Sequence, residues 1–359
     1  MNTKKGIDIF AGAGGMSLGA QNAGINIVLS IDNDSSSVET YKRNHPKTKV
    51  VLGDIKEINP EDYIKNKNQI FIVFGGPPCQ GFSSSNTKTR SLDNPNNHLF
   101  REFVRFVEII KPKWFVFENV EGITSFDDGN TVSEIKQIFD KLGYKTNEDI
   151  LYASDYGVPQ HRNRFFMVGN RLNIDFEFPP KQNCTITVAD AISDLPDLVN
   201  GDQFETLPYK EIEYLSPYAN KMRWNSNSAT QNYVSRNKDY VIERYKHIKQ
   251  GENWKAIPTE LMQNYTNTRN CHSGIYRRLD ASLPSVVISN YRKNMLIHPI
   301  ANRGLSVREA ARLQSFPDDF IFEGSLTHIQ QQIGNAVPPL LAEAIFKQIL
   351  TYDKRKRSK

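Results

Sequence analysis

Strands alternating with helices through the first half of this 359-residue chain predict an α/β fold: a doubly wound, mainly parallel sheet joined to a second, smaller domain. Three observations carry that expectation. Apolar runs of strand length recur between helical stretches. Glycine- or proline-rich breaks stand at the strands' carboxyl ends. From residue 201 onward the composition changes.

The elements follow in order. Gly6–Phe10, Asn26–Ile31, Ile70–Phe74, Trp114–Glu118 and Arg164–Val168 read as strands. Leu99–Ile110 carries apolar residues at helical spacing and Pro112 stops it. Thr131-Val132-Ser133-Glu134 reads as a capping box opening a helix that ends at Gly143. Residues 201–270 hold ten aromatics and nine asparagines with weak periodicity, which marks a separate, loop-rich region. A basic band follows: Arg277, Arg278, Arg292, Lys293, Arg303, Arg308 and Arg312, opposed only by Asp280 and Glu309. Ser306-Val307-Arg308-Glu309 caps another helix, and Pro338 starts a last one running to about Leu350.

Composition narrows the function classes. A hydrophobic content of 38% without a long apolar run describes a soluble protein with neither a membrane span nor a signal peptide. Cys79, Cys184 and Cys271 lie far apart with no CxxC pair, which argues against disulfides and cysteine-based zinc and for a reducing cytoplasm. His161 has no partner at metal-ligand spacing, so no metal is expected. A net charge of +5 is compatible with a polyanionic partner.

Four segments carry chemistry. Gly75-Gly76-Pro77-Pro78-Cys79-Gln80-Gly81-Phe82-Ser83 follows the third strand and opens a polar stretch to Asn97 that reads as a mobile loop. A free cysteine is most often a small buried hydrophobe. A thiol on a proline-fixed turn at a strand's carboxyl end, however, sits where an open α/β sheet puts its chemistry. Asp8-Ile9-Phe10-Ala11-Gly12-Ala13-Gly14-Gly15-Met16 follows the first strand, and its glycines let a ligand approach the backbone. Asp32, twenty residues past Gly12, stands where a carboxylate holds ribose hydroxyls. A dinucleotide oxidoreductase is the ordinary reading, weakened because the third glycine of G-x-G-x-x-G falls on Ser17; the segment by itself says "nucleoside-containing cofactor". Glu118 ends an apolar strand and is either a structural ion-pair partner or a functional carboxylate. Arg162 and Arg164 alternate before the last strand, as surface charges or as guanidinium donors to an anion or carbonyl oxygen.

Taken together, the chain resembles the C5-cytosine DNA methyltransferases, the bacterial modification methylases of restriction–modification systems. The resemblance rests on Asp8–Gly15, Gly53-Asp54-Ile55, Gly76-Pro77-Pro78-Cys79-Gln80, Glu118-Asn119-Val120 and Gln160-x-Arg162-x-Arg164. It continues through Arg308–Pro317 and Gly334-Asn335-Ala336-Val337-Pro338-Pro339, in one order over nearly the whole length. It implies an S-adenosylmethionine-dependent, Rossmann-like catalytic domain over 1–180. A target-recognition domain over 181–325 would have a variable core at 197–270, and a segment 326–359 would return to the catalytic domain.

The resemblance also implies roles. Cys79 would attack C6 of cytosine, Glu118 would contact N3 and the exocyclic amine, Arg164 would point at O2, and Arg162 would help hold the flipped nucleotide. S-adenosyl-L-methionine would lie against Asp8, Phe10, Ala11, Gly12, Ala13, Gly14, Gly15 and Met16, with Asp32 on the ribose. Asn33, Asp54, Ile55, Pro77, Leu99, Asn335 and Ala336 would complete the pocket. The family often has an aromatic after the ribose-binding acid; here that position is Asn33, leaving Phe10 and Ile55 to pack adenine. Double-stranded DNA would be contacted by Gln80, Ser83, Lys88, Arg90, Arg277, Arg278 and Arg292. A monomer suits access to one strand, and the family leaves room for a cognate restriction endonuclease acting on the same site. A related branch acts on tRNA, but its Cys-Phe-Thr element does not occur in this chain.

Overall fold

A computed structural model of the chain describes residues 3–78, 99–182, 184–263, 274–289 and 291–357. The chain divides into two units: Met1–Tyr156, Asn163–Gln182 and Val337–Lys359 form the first, and Gly157–Arg162 with Asn183–Ala336 form the second.

The first unit is built on seven strands: β1 (Lys5–Ile9), β2 (Asn26–Asp32), β3 (Lys49–Leu52), β4 (Ile70–Gly75), β5 (Trp114–Asn119), β6 (Lys145–Tyr152) and β7 (Asn163–Asn170). Their order in the sheet is β3-β2-β1-β4-β5-β7-β6. The first five run parallel, and β7 runs antiparallel to both β5 and β6. All residues of β4 and β5 are buried, as continuous apolar runs require when both faces of a sheet are covered. The five expected strands are present. The two unexpected ones, β3 and β6, are the sheet's edges: β3 is only four residues long and β6 is mostly polar, so an apolar-run search passes over both.

The covering helices are α1 (Gly15–Asn22), α2 (Ser35–Asn44), α3 (Phe100–Ile110) and α4 (Asn130–Lys141), with α10 (Pro339–Arg357) returning from the far end of the chain. Helix α3 buries Phe100, Phe103, Val104, Phe106, Val107 and Ile110, the one-sided stripe its spacing predicts, and stops at left-handed Lys111. The capping box expected at Thr131 does not form. Left-handed Gly129 makes the turn instead, α4 begins at Asn130, and no side chain caps it. Helix α10 runs to Arg357, beyond the expected Leu350, because buried Asp353 pairs with Lys4 and Tyr352 packs on Phe176.

The second unit holds a two-stranded sheet, β8 (Gln203–Leu207) with β9 (Ala229–Tyr233), and five short helices among the described residues: α5 (Val188–Ile192), α6 (Pro217–Arg223), α7 (Asp239–Lys246), α8 (Val307–Leu313) and α9 (Leu326–Asn335). The capping box of α8 forms as expected: Ser306 Oγ accepts from Glu309 N, and Glu309 Oε2 accepts from Ser306 N. Two boundaries differ from expectation. Residues 157–162 belong here because Gln160 bonds Leu313 O, Gln314 and Ile288 N. Residues 326–336 do too, because Gln330 of α9 donates to Ser235 and Gln332 donates to Glu323 O.

Candidate active site

In an open parallel sheet the ligand crevice lies beyond the carboxyl ends of the strands, where neighbouring connections leave in opposite directions. Here that point is between β1 and β4. Along this one edge, in spatial order, stand Asp54 after β3, Asp32 closing β2, the loop Phe10–Gly14 after β1, the Gly76-Pro77-Pro78 turn after β4, and Glu118 near the end of β5. Because β7 is antiparallel, its first residues share the edge: Glu118 is opposite Phe166 and Asn119 opposite Phe165, which brings Arg164 beside them. Segments some twenty to forty residues apart in sequence become neighbours this way.

The β1–β3 half is a cradle. Phe10, Gly12 and Gly14 all have left-handed backbones (φ 58°, 53° and 91°). For Phe10 that conformation costs about 1–3 kcal/mol, the kind of strain that persists only where surroundings over-determine it. Asp32 ties the loop to β2: its Oδ2 accepts from Gly12 N (2.8 Å) and its Oδ1 from Asp34 N (2.9 Å). Burial pushes the Asp32 carboxyl above its ordinary range, against those two backbone bonds. A side chain added at Gly12 would meet nothing within 4 Å, so a ligand can reach this backbone. Asp54 is exposed, Asn33 likewise, and Phe10 is half-buried.

Several expected contacts are inside the protein instead. Asp8 is buried and accepts from Ser17 Oγ (2.6 Å), which also bonds Tyr41 Oη (2.6 Å); burial raises its carboxyl well above the usual range. Its carboxylate is enclosed beneath the loop and supports it from below. Ala13 and Met16 turn their side chains into the core, so only their backbone, like that of Ala11 and Gly15, can face a ligand. Ile55 is buried in the main core and offers adenine little surface. Pro77 is buried, and Leu99 packs against the core as the residue capping α3.

The β4–β7 half carries charge. Arg164 Nε lies 2.9 Å from Glu118 Oε1, with side chains 14% and 11% exposed. Burial lowers the Arg164 pKa; the adjoining Glu118 carboxylate opposes that but does not overcome it. The pair stands against the turn after β4, where a Cβ at Gly76 would collide with Glu118 Oε2. Asn119, to which the sequence reading gave no role, donates to Pro77 O (3.3 Å) and accepts from Val120 N (2.8 Å), tying β5 to the two-proline turn. Cys79, Gln80, Ser83, Lys88 and Arg90 lie outside the described residues.

In the second unit the expected arginines separate. Arg162 is fully buried and donates to Ile288 O (3.1 Å) and Gly334 O (2.9 Å), so it braces this unit from within. Arg278 is also buried and donates to five oxygens, those of Ile248, His298, Ala301, Tyr245 and Asn302, leaving nothing for a phosphate. Arg303 pairs with Glu309, Arg312 with Asp194 and Asp318, and Arg308 binds backbone around Pro317 and Phe320. Of the seven basic residues, Arg292 and Lys293 are exposed and Arg277 is half-buried. Asn335 and Ala336 close α9, the first exposed and the second half-buried.

The sequence reading also missed the layer beneath the loop: Ser17, Tyr41 and His45. The i, i+4 spacing of Tyr41 and His45 was the available signal, once α2 was recognised.

A family model described as C-5 cytosine-specific DNA methylase matches residues 4–351. Type II methyltransferase M1.HphI of Haemophilus parahaemolyticus is 37% identical over 348 residues, covering 96% of this chain and 86% of the relative. Type II methyltransferase M.DdeI of Desulfomicrobium norvegicum is 37% identical over 370 residues, covering 96% and 88%. Among solved structures, a protein described as a DNA modification methyltransferase encoded within a prophage (E. coli) superposes with a TM-score of 0.80 at 28% identity, over 98% of this chain and 99% of its own. The DNMT2 of Spodoptera frugiperda, at TM-score 0.56 and 17% identity over 97% and 99%, shares the fold.

Proposed function

The chain belongs to the C-5 cytosine-specific DNA methylase family, and from that premise we propose that it is a sequence-specific modification methyltransferase acting on duplex DNA. It turns a cytosine out of the helix and methylates C5 through a transient bond between Cys79 and C6. The reading is carried by one observation: the Glu118–Arg164 pair, the two-proline turn before Cys79 and the Gly12–Asp32 cradle share one sheet edge.

The cradle fits S-adenosyl-L-methionine by its chemistry. Asp32, already oriented by two backbone N–H groups, is a carboxylate suited to a ribose diol, and the open backbone at Gly12 admits a nucleoside. Phe10 and Asp54 flank it. When bound, this group supplies the methyl as an electrophile on a sulfonium centre.

The chain's own residues do the rest. C6 of cytosine is inaccessible inside a duplex, so the base must be extruded first. The Cys79 thiolate then forms a bond to C6, and the ring electrons move to C5 and N3. Glu118 meets N3 and the exocyclic amine, sharing a proton where negative charge builds up. Arg164 holds Glu118 in place and presents its guanidinium toward the O2 side of the ring. After C5 is substituted, loss of its proton drives the electrons back, breaks the S–C6 bond and frees Cys79. Base-edge reading is assigned to residues 197–270, and phosphate contact to Arg277, Arg292 and Lys293.

Bisulfite sequencing of DNA from cells expressing the protein tests this directly. Protected cytosines at one position of one short sequence are expected. Uniform conversion, with methyl transfer to tRNA in its place, would overturn the reading.

A further inference from the structure

Accepting the β1–β3 half as the S-adenosyl-L-methionine site, we propose that His45 is a positioning residue for it: the imidazole is the prop that fixes the left-handed Gly14 turn, and with it the ligand-facing backbone of the loop.

His45 caps the carboxyl end of α2, donating its N–H to Tyr41 O (2.8 Å). Its ring is buried under the loop. On one side Nδ1 lies 2.7 Å from Gln21 Oε1 of α1. On the other, a Cβ placed on Gly14 would stand 2.5 Å from His45 Nε2 and 2.9 Å from the Tyr41 ring. The imidazole therefore occupies the space a side chain at residue 14 would need. Tyr41 packs on the same ring at 4.3 Å, and its hydroxyl is joined through Ser17 to Asp8 at the end of β1.

The loop has need of such a support. Gly14 is the N-cap of α1, yet no side chain caps that helix. The turn closes by one backbone bond, Gly14 N to Ala11 O (3.0 Å). A purely apolar filler would take the volume without setting direction; His45 is held at Nδ1 by Gln21, which fixes the ring with Nε2 packed against Gly14. Helix α2 adds a second link. Its amino end is capped by Asp34, whose N–H bonds Asp32, so one rigid helix joins the ribose-facing acid to the prop under Gly14. A loss of the ring should therefore loosen cofactor binding while leaving the β4–β7 half unaltered.

The test is a double-mutant cycle on the full chain with Gly14→Ala and His45→Ala, read by calorimetric titration with S-adenosyl-L-methionine and by steady-state kinetics. His45→Ala should weaken binding about tenfold, with kcat at saturating cofactor and KM for DNA within about twofold. Gly14→Ala alone should bind worse still. The double variant should bind no worse than Gly14→Ala, a non-additivity of about tenfold, because the nearer of the two colliding rings is gone. His45→Asn, which keeps a donor toward Gln21, should recover part of the affinity. Additive losses, or a lowered Tm with unchanged cofactor binding in His45→Ala, would overturn the proposal. A wild-type protein that binds no S-adenosyl-L-methionine would instead remove the cofactor reading, and this inference with it.

Discussion

Two arginine–carboxylate sites, one in each unit, look alike in sequence and differ in kind. At the sheet edge Arg164 has one carboxylate partner, Glu118, and both keep a tenth or more of their side chains exposed. In the second unit Arg312 is fully enclosed between Asp194 (2.6 Å) and Asp318 (2.6 Å), with all three side chains at 0% exposure and a further bond to Ala191 O. The balance of charge differs accordingly. Burial wins at Arg164 and lowers its pKa despite Glu118; at Arg312 burial pulls the same way, but two aspartates outweigh it and hold the guanidinium above its ordinary value. An ion pair whose partners saturate one another is architecture. One that keeps part of both side chains exposed, at the edge where a sheet gathers its ligands, is the candidate for chemistry.

That distinction predicts opposite signatures, and the largest effect belongs to the edge. Cys79→Ala should abolish methylation, a loss of at least about 10⁴-fold, while cofactor binding stays within twofold. DNA carrying 5-fluorocytosine should trap the wild-type protein covalently, since fluorine cannot leave C5 as a proton, and should not trap the variant. Intact turnover by Cys79→Ala would end the covalent mechanism. Glu118→Gln comes next: kcat should fall about 10²–10³-fold, the usual yield of a positioned acid–base group, with a small change in Tm. A Glu118→Gln protein that unfolds early but turns over normally would make the edge pair architectural after all.

The converse holds for the second unit. Arg312→Ala removes the guanidinium shared by Asp194 and Asp318, leaving only Arg223 on the first and Arg308, at 4.0 Å, near the second, and removing one member of such a buried set costs about 3–5 kcal/mol. Denaturant melts should show that loss, while the fraction still folded should methylate at the normal rate. A catalytic defect without a stability defect would contradict the assignment.

Much of this was legible beforehand. Five strands, α3, the capping box of α8 and the cradle loop follow from apolar runs and turn chemistry visible in the chain. What escaped shares a cause. Strands β3 and β6 are edges: β3 is only four residues long and half-exposed, and β6 is mostly polar. The basic band from Arg277 to Arg312 looked like a phosphate surface because charge is visible in sequence and burial is not. Four of its seven members turn inward to partners far along the chain or to backbone oxygens: Arg278, Arg303, Arg308 and Arg312. Asp8 misled in the same way, its burial under Ser17 and Tyr41 depending on a helix whose polar face gave little signal.

Acid tests the two units by a common mechanism. Burial lowers His45 in the first unit and His298 in the second to about 4. Both are neutral when folded and would charge readily when unfolded, so stability is lost as pH falls from about 6.5 toward 4. The ceiling is about 3 kcal/mol for each at 1.36 kcal/mol per pKa unit. Glu309, held at about 2 beside Arg303 despite its burial, adds a loss of the same sign below about pH 4.5. Asp8 runs the other way: its raised pKa makes its contribution strongest in acid and weaker as pH rises. Unfolding free energies at pH 7.5 and pH 5 should therefore differ by about 2–4 kcal/mol. His45→Asn and His298→Asn should each flatten that dependence, and variants whose pH dependence matched the wild type's would show that neither histidine is held neutral.

The smallest effect separates the arginines that remain outside from those drawn in. Arg292 is exposed and its guanidinium donates to Thr327 Oγ1 at 3.3 Å from a side chain open to solvent, so it can meet a phosphate. Arg292→Ala should weaken DNA binding severalfold and almost equally across sequences, lowering the salt slope of log K by about 1, because a phosphate contact carries no base information. Arg278→Ala should leave the salt slope alone and lower Tm, since all five of its bonds lie inside the unit. Binding measured from 50 to 300 mM salt on cognate and scrambled duplexes, beside thermal melts of both variants, reads the two behaviours apart. An Arg278→Ala protein of normal Tm with a reduced salt slope would mean that burial had been misjudged and that the basic band meets DNA as its sequence first suggested.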